Sequence, residues 1–225
     1  MKMGMEAMIA DIERETRETR NYSGKAALDA KVIAAMRAIP RHAFVPAEIA
    51  DHAYDNRPLP IDQGQTISQP FIVALMSDLL DLPENARVLE VGTGSGYQGA
   101  VLSKLAAQVY SIEIVPHLAR QAAQHLAELG IANIEVRCGD GYQGWPEHAP
   151  YDGIIVTAAA PRIPPPLLEQ LKPGARLVIP VGLPYLPQQL LVVEKGLDGG
   201  LTSRNALPVA FVPLTGVHGA AGRDE

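Results

Sequence analysis

The residues whose types and spacing point most directly to chemistry lie in a glycine-rich stretch at 88–97. A short segment typical of a buried strand leads into Gly92, Gly94 and Gly96, and a helical pattern begins after them. Glycine has no Cβ, so the backbone can turn tightly there and approach a ligand at the carboxyl end of the strand. A plain tight turn is the alternative. We predict that these glycines, with Ser95 between them, bind a cofactor.

The spacing of this loop and a nearby carboxylate indicate which cofactor it binds. Dinucleotide folds usually show G-x-G-x-x-G, which seats a pyrophosphate on the helix N-terminus, whereas this loop reads G-x-G-x-G. Glu90 lies in the strand before the loop. Its negative charge would repel a diphosphate and suit a ligand that carries an ammonium and a sulfonium. We therefore predict S-adenosylmethionine rather than NAD, with Glu90 among the residues that bind it.

Further polar residues end the next two strands. Glu113 closes the apolar segment 108–113, at the separation from the loop where an acid accepts hydrogen bonds from both ribose hydroxyls. Asp140 and Gly141 follow the segment 134–138, where the adenine of such a ligand would lie. A solvated carboxylate and a simple turn are the respective alternatives. Taken with the glycine loop, the pattern predicts that all three residues bind the cofactor.

The methyl acceptor decides which side chains a transfer reaction needs. An amine or hydroxyl must lose a proton, whereas a carboxylate with a pKa near ~4 is already ionised at neutral pH and needs no general base. Enzymes that methylate DNA amino groups carry an acidic residue, Asn or Ser before Pro-Pro-aromatic, but the fourth strand here leads into Thr-Ala-Ala-Ala-Pro at 157–161. Cytosine C5 enzymes need a Pro-Cys nucleophile, and Cys138 instead follows Arg137. The sequence therefore matches neither class of DNA methyltransferase.

The composition of the chain excludes further classes of function and of binding site. The chain has 225 residues, of which 47% are hydrophobic and 20% charged, so it can bury one sizeable core. It carries 19 Lys and Arg against 25 Asp and Glu, and the resulting net charge of −6 disfavours a nucleic-acid partner. A single cysteine allows no intramolecular disulfide and no multi-thiolate metal site, and the six histidines show no ligand spacing. We expect no metal and a reducing compartment.

The periodicity of the chain predicts the elements that position these residues. The pattern from about 5 to 50 predicts an N-terminal helical segment. The stretch 53–70 is rich in Pro, Gly, Asp and Asn, which predicts a long loop with a function at the active site. From 71 to 215, strands alternate with helices, which predicts an α/β fold with a doubly wound, mostly parallel sheet and a C-terminal antiparallel strand pair. We expect a single domain over 1–225. The N-terminus shows no signal peptide and no segment spans a bilayer, which predicts a cytoplasmic protein.

Several motifs resemble the protein-L-isoaspartate O-methyltransferase family, in that family's order and over about 32–215. The most specific are the T-I-S-x-P loop at 66–70 and the F-V-P-L-T end at 211–215, while the glycine loop is shared by many methyltransferases. The remaining matches are R-x-x-F-V-P at 41–46, G-D-G at 139–141, A-P-Y-D at 149–152, T-A-A-A-P at 157–161 and the segment 169–182. Gly174-Ala175, where the family often has Gly-Gly, and extra prolines at 181–189 depart from the pattern.

The resemblance implies a Rossmann-like fold and a reaction. A methyl group would pass from S-adenosylmethionine to the free carboxylate of an L-isoaspartyl residue in a damaged protein, and the ester would cyclise to a succinimide that partly returns to aspartate. Ser68 would be the active-site hydroxyl. Thr66 and Ile67 would lie at the cofactor and, with Gln69, shape the substrate strip, and Thr215 would lie against the cofactor. The resemblance implies isoaspartyl proteins as partners, and we expect a monomer.

Three alternatives remain open at this point. Ser68 could simply cap the helix that begins after it. The chain could methylate a small metabolite, although such an enzyme would have no reason to retain the T-I-S-x-P loop. It could also bind the cofactor without turnover, although pure binding would not require the Ser68 hydroxyl.

Overall fold

The computed structural model describes residues 2–183 and 186–216. The proline-rich segment 183–188 therefore lies partly outside the described residues, as does the end of the predicted 1–225 domain. The helices are α1 (Lys2–Glu18), α2 (Arg20–Ser23), α3 (Ala30–Ala38), α4 (Pro70–Leu79), α5 (Tyr97–Leu102), α6 (Pro116–Glu128) and α7 (Pro165–Glu169). The strands are β1 (Leu59–Pro60), β2 (Thr66–Ile67), β3 (Arg87–Val91), β4 (Gln108–Glu113), β5 (Ile134–Cys138), β6 (Tyr151–Val156), β7 (Leu171–Val181), β8 (Gln188–Lys195) and β9 (Leu201–Val209).

The N-terminal helical segment is broken into separate pieces. Gly24 takes a left-handed conformation at the end of α2, and Pro40 follows α3. Two short 3₁₀ helices then complete the segment, at Arg41–Phe44 and Ala47–His52. The predicted long loop contains the small antiparallel hairpin β1–β2. Ser68 directly follows β2, so it is connected to paired strands rather than lying within an unpaired loop.

The predicted doubly wound, mostly parallel sheet is confirmed. Its seven strands lie in the order β5-β4-β3-β6-β7-β8-β9, and the first five are parallel. The chain leaves β3 toward β4 on one side and later returns to β6 on the other, so the order reverses between β3 and β6. Ligands of such sheets bind outside the carboxyl ends of the strands at this point. The glycine loop directly follows β3 and therefore lies there.

The C-terminal antiparallel arrangement is also confirmed, because β8 pairs antiparallel with β7 and with β9. β9 begins at Leu201. Residues 201–205 are exposed on the edge of the sheet and lack the apolar alternation that identifies a half-buried strand. β7 begins at Leu171, and the helix before it, α7, spans only Pro165–Glu169.

Both faces of the parallel strands are buried, as expected when helices cover each side. Val88, Ile155 and Val178 pack with residues of α3, α4 and α5 on one face. On the other face, strand residues such as Leu89 and Leu177 pack with Trp145 and with Leu167 of α7. No helix within the described residues has the length and apolar character needed to cross a membrane.

Candidate active site

The glycine loop turns sharply from β3 into α5, with positive φ at Gly92, Gly94 and Gly96. Gly92 has φ 96°, and a Cβ there would collide with the Thr157 hydroxyl. That hydroxyl donates to the carbonyls of both Gly92 and Val91. This hydroxyl therefore links the carboxyl ends of β3 and β6, where the strand order of the sheet reverses. The sequence therefore requires glycine at 92 for conformation and for close approach.

Glu113 is tied into the same loop. Its Oε2 accepts the N–H of Gly94 at 2.8 Å, and its Oε1 accepts the N–H of Val115 at 3.0 Å. The residue is only 6% exposed, so it is not the solvated strand-end carboxylate that was the alternative. Each carboxylate oxygen has two lone-pair sites, and capacity therefore remains to accept hydrogen bonds from a ligand.

A cleft opens above these strand ends. Its walls come from the glycine loop, the end of β4, the β1–β2 hairpin and the C-terminal segment 212–215. The structure brings most of the predicted residues to this cleft: Thr66, Ile67, Ser68, Gly92, Gly94, Ser95, Glu113, Gly141 and Thr215.

Gly96 and Asp140 lie just behind the cleft lining. Gly96 is the N-cap residue of α5 with φ 90°, and a Cβ there would lie 3.3 Å from that of Ala122 on α6, so glycine allows close helix packing. Asp140 accepts the N–H of Tyr142 at 2.9 Å and so starts the turn that presents Gly141 to the cleft. The backbone of Gly216 passes directly over the Asp140 carboxylate.

The structure does not bring Glu90, which was predicted to bind the cofactor, to the lining of the cleft. Glu90 is 0% exposed and points under α5, where a Cβ on Gly99 would lie 2.7 Å from its Oε2. Ser111 on β4 donates to the same oxygen, and Oε1 has no hydrogen-bond partner among the residues that the structure describes. Burial raises the pKa of Glu90 to about 8, against the smaller effect of the Ser111 hydrogen bond. The side chain is therefore mainly neutral at pH 7 and does not repel a diphosphate.

The structure also decides how α4 is capped. Gln69 is the N-cap residue, but it makes no side-chain capping bond, and the N–H of Phe71 donates instead to Asn56 Oδ1 at 2.9 Å. The cap is thus supplied by a residue distant in sequence, and the alternative role of Ser68 as a helix cap is not supported. Asn56 also donates to Glu15 Oε2 on α1 at 2.7 Å.

A second cavity meets the first at Ser68. The two cavities share Thr66, Ser68, Thr157 and Val212 as lining residues. The second is bounded on its far side by other parts of the chain, namely Glu15, Pro58, Gln69, Ile72, Pro187, Gln188 and residues 207–211. Ser68 therefore lies where a cofactor on one side and a chain-like substrate on the other could meet.

Glu15 is partly buried at the edge of this second cavity. Its Oε2 accepts Gln69 Nε2 at 2.9 Å as well as the bond from Asn56. Burial raises its pKa, opposed by these two amide hydrogen bonds. The N-terminal helix thus braces the segment that carries Ser68.

Some lining residues escaped the sequence prediction. Ile114 and Val115 follow Glu113 directly and line the cleft, so their position in sequence was the available signal. Thr157 ends β6 at the same sheet edge, a position where side chains of parallel strands converge. Tyr97 and Gln98 belong to the first turn of α5, and no sequence pattern distinguished them from core residues.

The chain matches a known protein family over most of its length. The family model described as protein-L-isoaspartate(D-aspartate) O-methyltransferase matches residues 16–219. A protein named protein-L-isoaspartate O-methyltransferase 2 from Syntrophobacter fumaroxidans is 59% identical over 211 residues, which cover 94% of this chain and 85% of that protein. A protein of the same name from a Polaromonas species is 60% identical over 209 residues, covering 93% and 99% of the two chains.

Solved structures show the same fold. A structure titled protein-L-isoaspartate O-methyltransferase superimposes with a TM-score of 0.83 at 29% identity, covering 96% of this chain and 67% of that one. A putative member from Plasmodium falciparum, in complex with S-adenosyl-L-homocysteine, has a TM-score of 0.74 at 24% identity, with coverages of 93% and 97%. The described fold is thus shared across the chain and is not confined to the glycine loop.

Proposed function

The chain belongs to the protein-L-isoaspartate O-methyltransferase family, and we propose that its two joined cavities perform that family's reaction with the residues described above. It is an S-adenosylmethionine-dependent carboxyl O-methyltransferase. The methyl group goes to the free carboxylate of L-isoaspartyl residues in damaged proteins, which begins their repair.

The residues of the first cleft fit the cofactor. The positive φ angles of the glycine loop bring main-chain atoms to the cleft without side chains in the way. Glu113 is held in place by two main-chain N–H groups and keeps lone pairs for the ribose hydroxyls. Gly141, Ile114 and Val115 also line the cleft, and we assign the adenine to them. When bound, S-adenosylmethionine supplies a methyl group activated by its sulfonium.

The position of Ser68 carries the assignment of the acceptor site. Ser68 lines both cavities, and it is not the N-cap residue of α4. Ser68 would donate a hydrogen bond to the acceptor carboxylate and orient it toward the cofactor cleft. An ionised carboxylate needs no proton removed before it attacks, so orientation is the contribution the protein has to make.

The experiment that tests the function compares two peptides identical except for Asp or isoAsp at one position. Methyl transfer from labelled S-adenosylmethionine is measured on both. We expect labelling of the isoAsp peptide alone, because in normal aspartate the free carboxylate sits on the side chain. A displacement of ~1 Å from the productive geometry can cost about 100-fold in rate. Equal rates on the two peptides would contradict the proposal.

The alternatives are less well supported by the site. An enzyme for a small metabolite would not need the second cavity, which extends from Ser68 along residues 207–211 of β9 and the segment after it. A protein that only binds the cofactor would not need a hydroxyl on the wall between two cavities. Labelling of a small carboxylic acid but neither peptide would favour the metabolite alternative.

We also propose that the protein acts as a monomer in the cytoplasm. Both cavities are lined by residues of one chain, so the site requires no second copy. The one cysteine, Cys138, is free and exposed, which suits a reducing compartment. Light scattering coupled to gel filtration tests the first statement, and fractionation of the source cells tests the second.

A further inference from the structure

Arg41 is a fully buried cation whose environment is unusual. Its side chain is 0% exposed, and it donates from Nε to the carbonyl of Ala53 and from Nη2 to the carbonyl of Ser68, both at 2.8 Å. Burial lowers its pKa to about 10, and the groups that favour its charged form are Tyr97 and Tyr54 rather than a carboxylate. Burying a charge without an opposite charge is costly to a fold. The cost implies a compensating task.

The second contact of Arg41 leads to the cofactor side of the site. Its guanidinium carbon lies 4.8 Å from the centre of the Tyr97 ring, within cation–π distance. Tyr97 is the first residue of α5, directly after the glycine loop, and it lines the cofactor cleft. The Arg41 side chain therefore contacts both the main chain of Ser68 and the first residue of the helix that follows the glycine loop.

We propose that Arg41 is a positioning residue for methyl transfer, because it fixes Ser68 relative to the cofactor cleft. The proposal rests on the assigned role of Ser68. Holding the Ser68 carbonyl fixes the peptide plane that follows this residue, and with it the position of the Cα from which the side chain extends. Arginine suits this task because its planar fork presents several donors at once, whereas a lysine ammonium on a flexible stem cannot hold both carbonyls and cover the ring.

The test uses Arg41→Lys and Arg41→Gln, with Leu82→Ala as the matched control. Leu82 is buried next to Gly153, at the amino ends of the parallel strands and hence away from the cleft. We expect the Arg41 variants to lose about 10- to 100-fold in kcat on an isoaspartyl peptide, with the Kd of S-adenosylhomocysteine changed little. Leu82→Ala should lower the melting temperature and leave kcat near that of the parent enzyme.

A double-variant comparison separates positioning from general stability. If Arg41 acts through Ser68, Arg41→Lys should cost little further rate in a Ser68→Ala enzyme, because the oriented hydroxyl is already gone. An equal loss in both backgrounds would overturn the proposal, and so would unchanged kcat in Arg41→Lys. If neither Arg41 variant binds S-adenosylhomocysteine, the residue serves folding alone and the proposal is again overturned. Full turnover in Ser68→Ala would instead remove the assigned role of Ser68.

Discussion

Glu113 holds Gly94 in place from the end of the neighbouring strand, through a 2.8 Å hydrogen bond from the glycine N–H to the carboxylate. The same carboxylate accepts the N–H of Val115 at 3.0 Å. One buried acid therefore fixes both the loop after β3 and the turn after β4, two walls of the cofactor cleft. Its shaping of the cleft and its proposed acceptance of ligand hydrogen bonds are therefore not independent.

Replacing Glu113 tests this double role. Glu113→Ala should weaken binding of S-adenosylhomocysteine by about 1.5–3 kcal/mol, the worth of hydrogen bonds to a charged group, and should also lower the melting temperature because Gly94 loses its acceptor. Isothermal calorimetry measures the first effect and thermal unfolding the second. Glu135→Ala, an exposed glutamate on β5, is the control. Unchanged affinity would exclude Glu113 from the cofactor site.

Replacing Ser68 should separate catalysis from stability. Ser68→Ala should lower kcat about 10- to 100-fold, because losing one hydrogen bond to a charged group is worth ~1.5–3 kcal/mol, and leave the melting temperature almost unchanged. Asn56→Ala is the contrasting variant, since it removes the acceptor for the Phe71 N–H and should cost ~1 kcal/mol of stability. Thermal unfolding and isoaspartyl methylation are measured on the same preparations. A destabilised Ser68→Ala enzyme with full turnover would contradict the assignment.

Burial of Glu90 predicts a dependence of stability on pH. Its folded pKa of about 8 lies above the unfolded value of 4.5, so between these values the folded state holds a proton that the unfolded state has lost. Its contribution to stability is therefore full below about pH 4.5 and is lost as the pH rises through about 8. One proton gives a slope of at most about 1.4 kcal/mol per pH unit.

Urea unfolding of the parent chain and of Glu90→Gln across this window measures the effect. The free energy of unfolding of the parent should fall with rising pH relative to that of the variant, because glutamine does not titrate. Parallel curves would show that Glu90 is ionised in the folded protein.

Ligand-induced stabilisation tests the choice of cofactor. S-adenosylmethionine or S-adenosylhomocysteine should raise the melting temperature, because a ligand that binds only the folded state stabilises it by mass action. At a ligand concentration of 100 Kd, the free energy of unfolding should rise by about 2.7 kcal/mol. NAD should give no shift. The support for this choice now comes from the family and from the geometry around Glu113, since Glu90 lies outside the cleft. Equal stabilisation by NAD would count against it.

The structure places Glu113 at the cleft and Glu90 outside it, although both were predicted to bind the cofactor, and the difference has a physical reason. At a strand end, any side chain on the carboxyl edge is near the ligand, so position alone sufficed for Glu113. Within the strand, alternation decides the face, and both faces of a parallel sheet are buried. No pattern in β3 could show that Glu90 points under α5 beside Gly99.

The contacts that support Ser68 were beyond sequence reasoning because they join distant segments. Arg41 reaches the Ser68 carbonyl across 27 positions, and Asn56 caps α4 across 15. An arginine in a short motif carries no signal of which carbonyl it will hold. The strand order and the glycine turn, by contrast, depend on local periodicity and on residues adjacent in the chain, and these were predicted from sequence.

The last described segment of the chain returns to the cleft, where Ala159 donates to the Val212 carbonyl and Leu214 donates to the Ala159 carbonyl, both at 2.8 Å. The site therefore combines residues from α1 with residues as late as Thr215. On the ribosome, the glycine loop and most of the sheet would emerge well before this segment could close the cleft. A nascent chain thus lacks one wall of this cleft until residues 212–215 have left the ribosome, and methyl transfer has to wait for that segment.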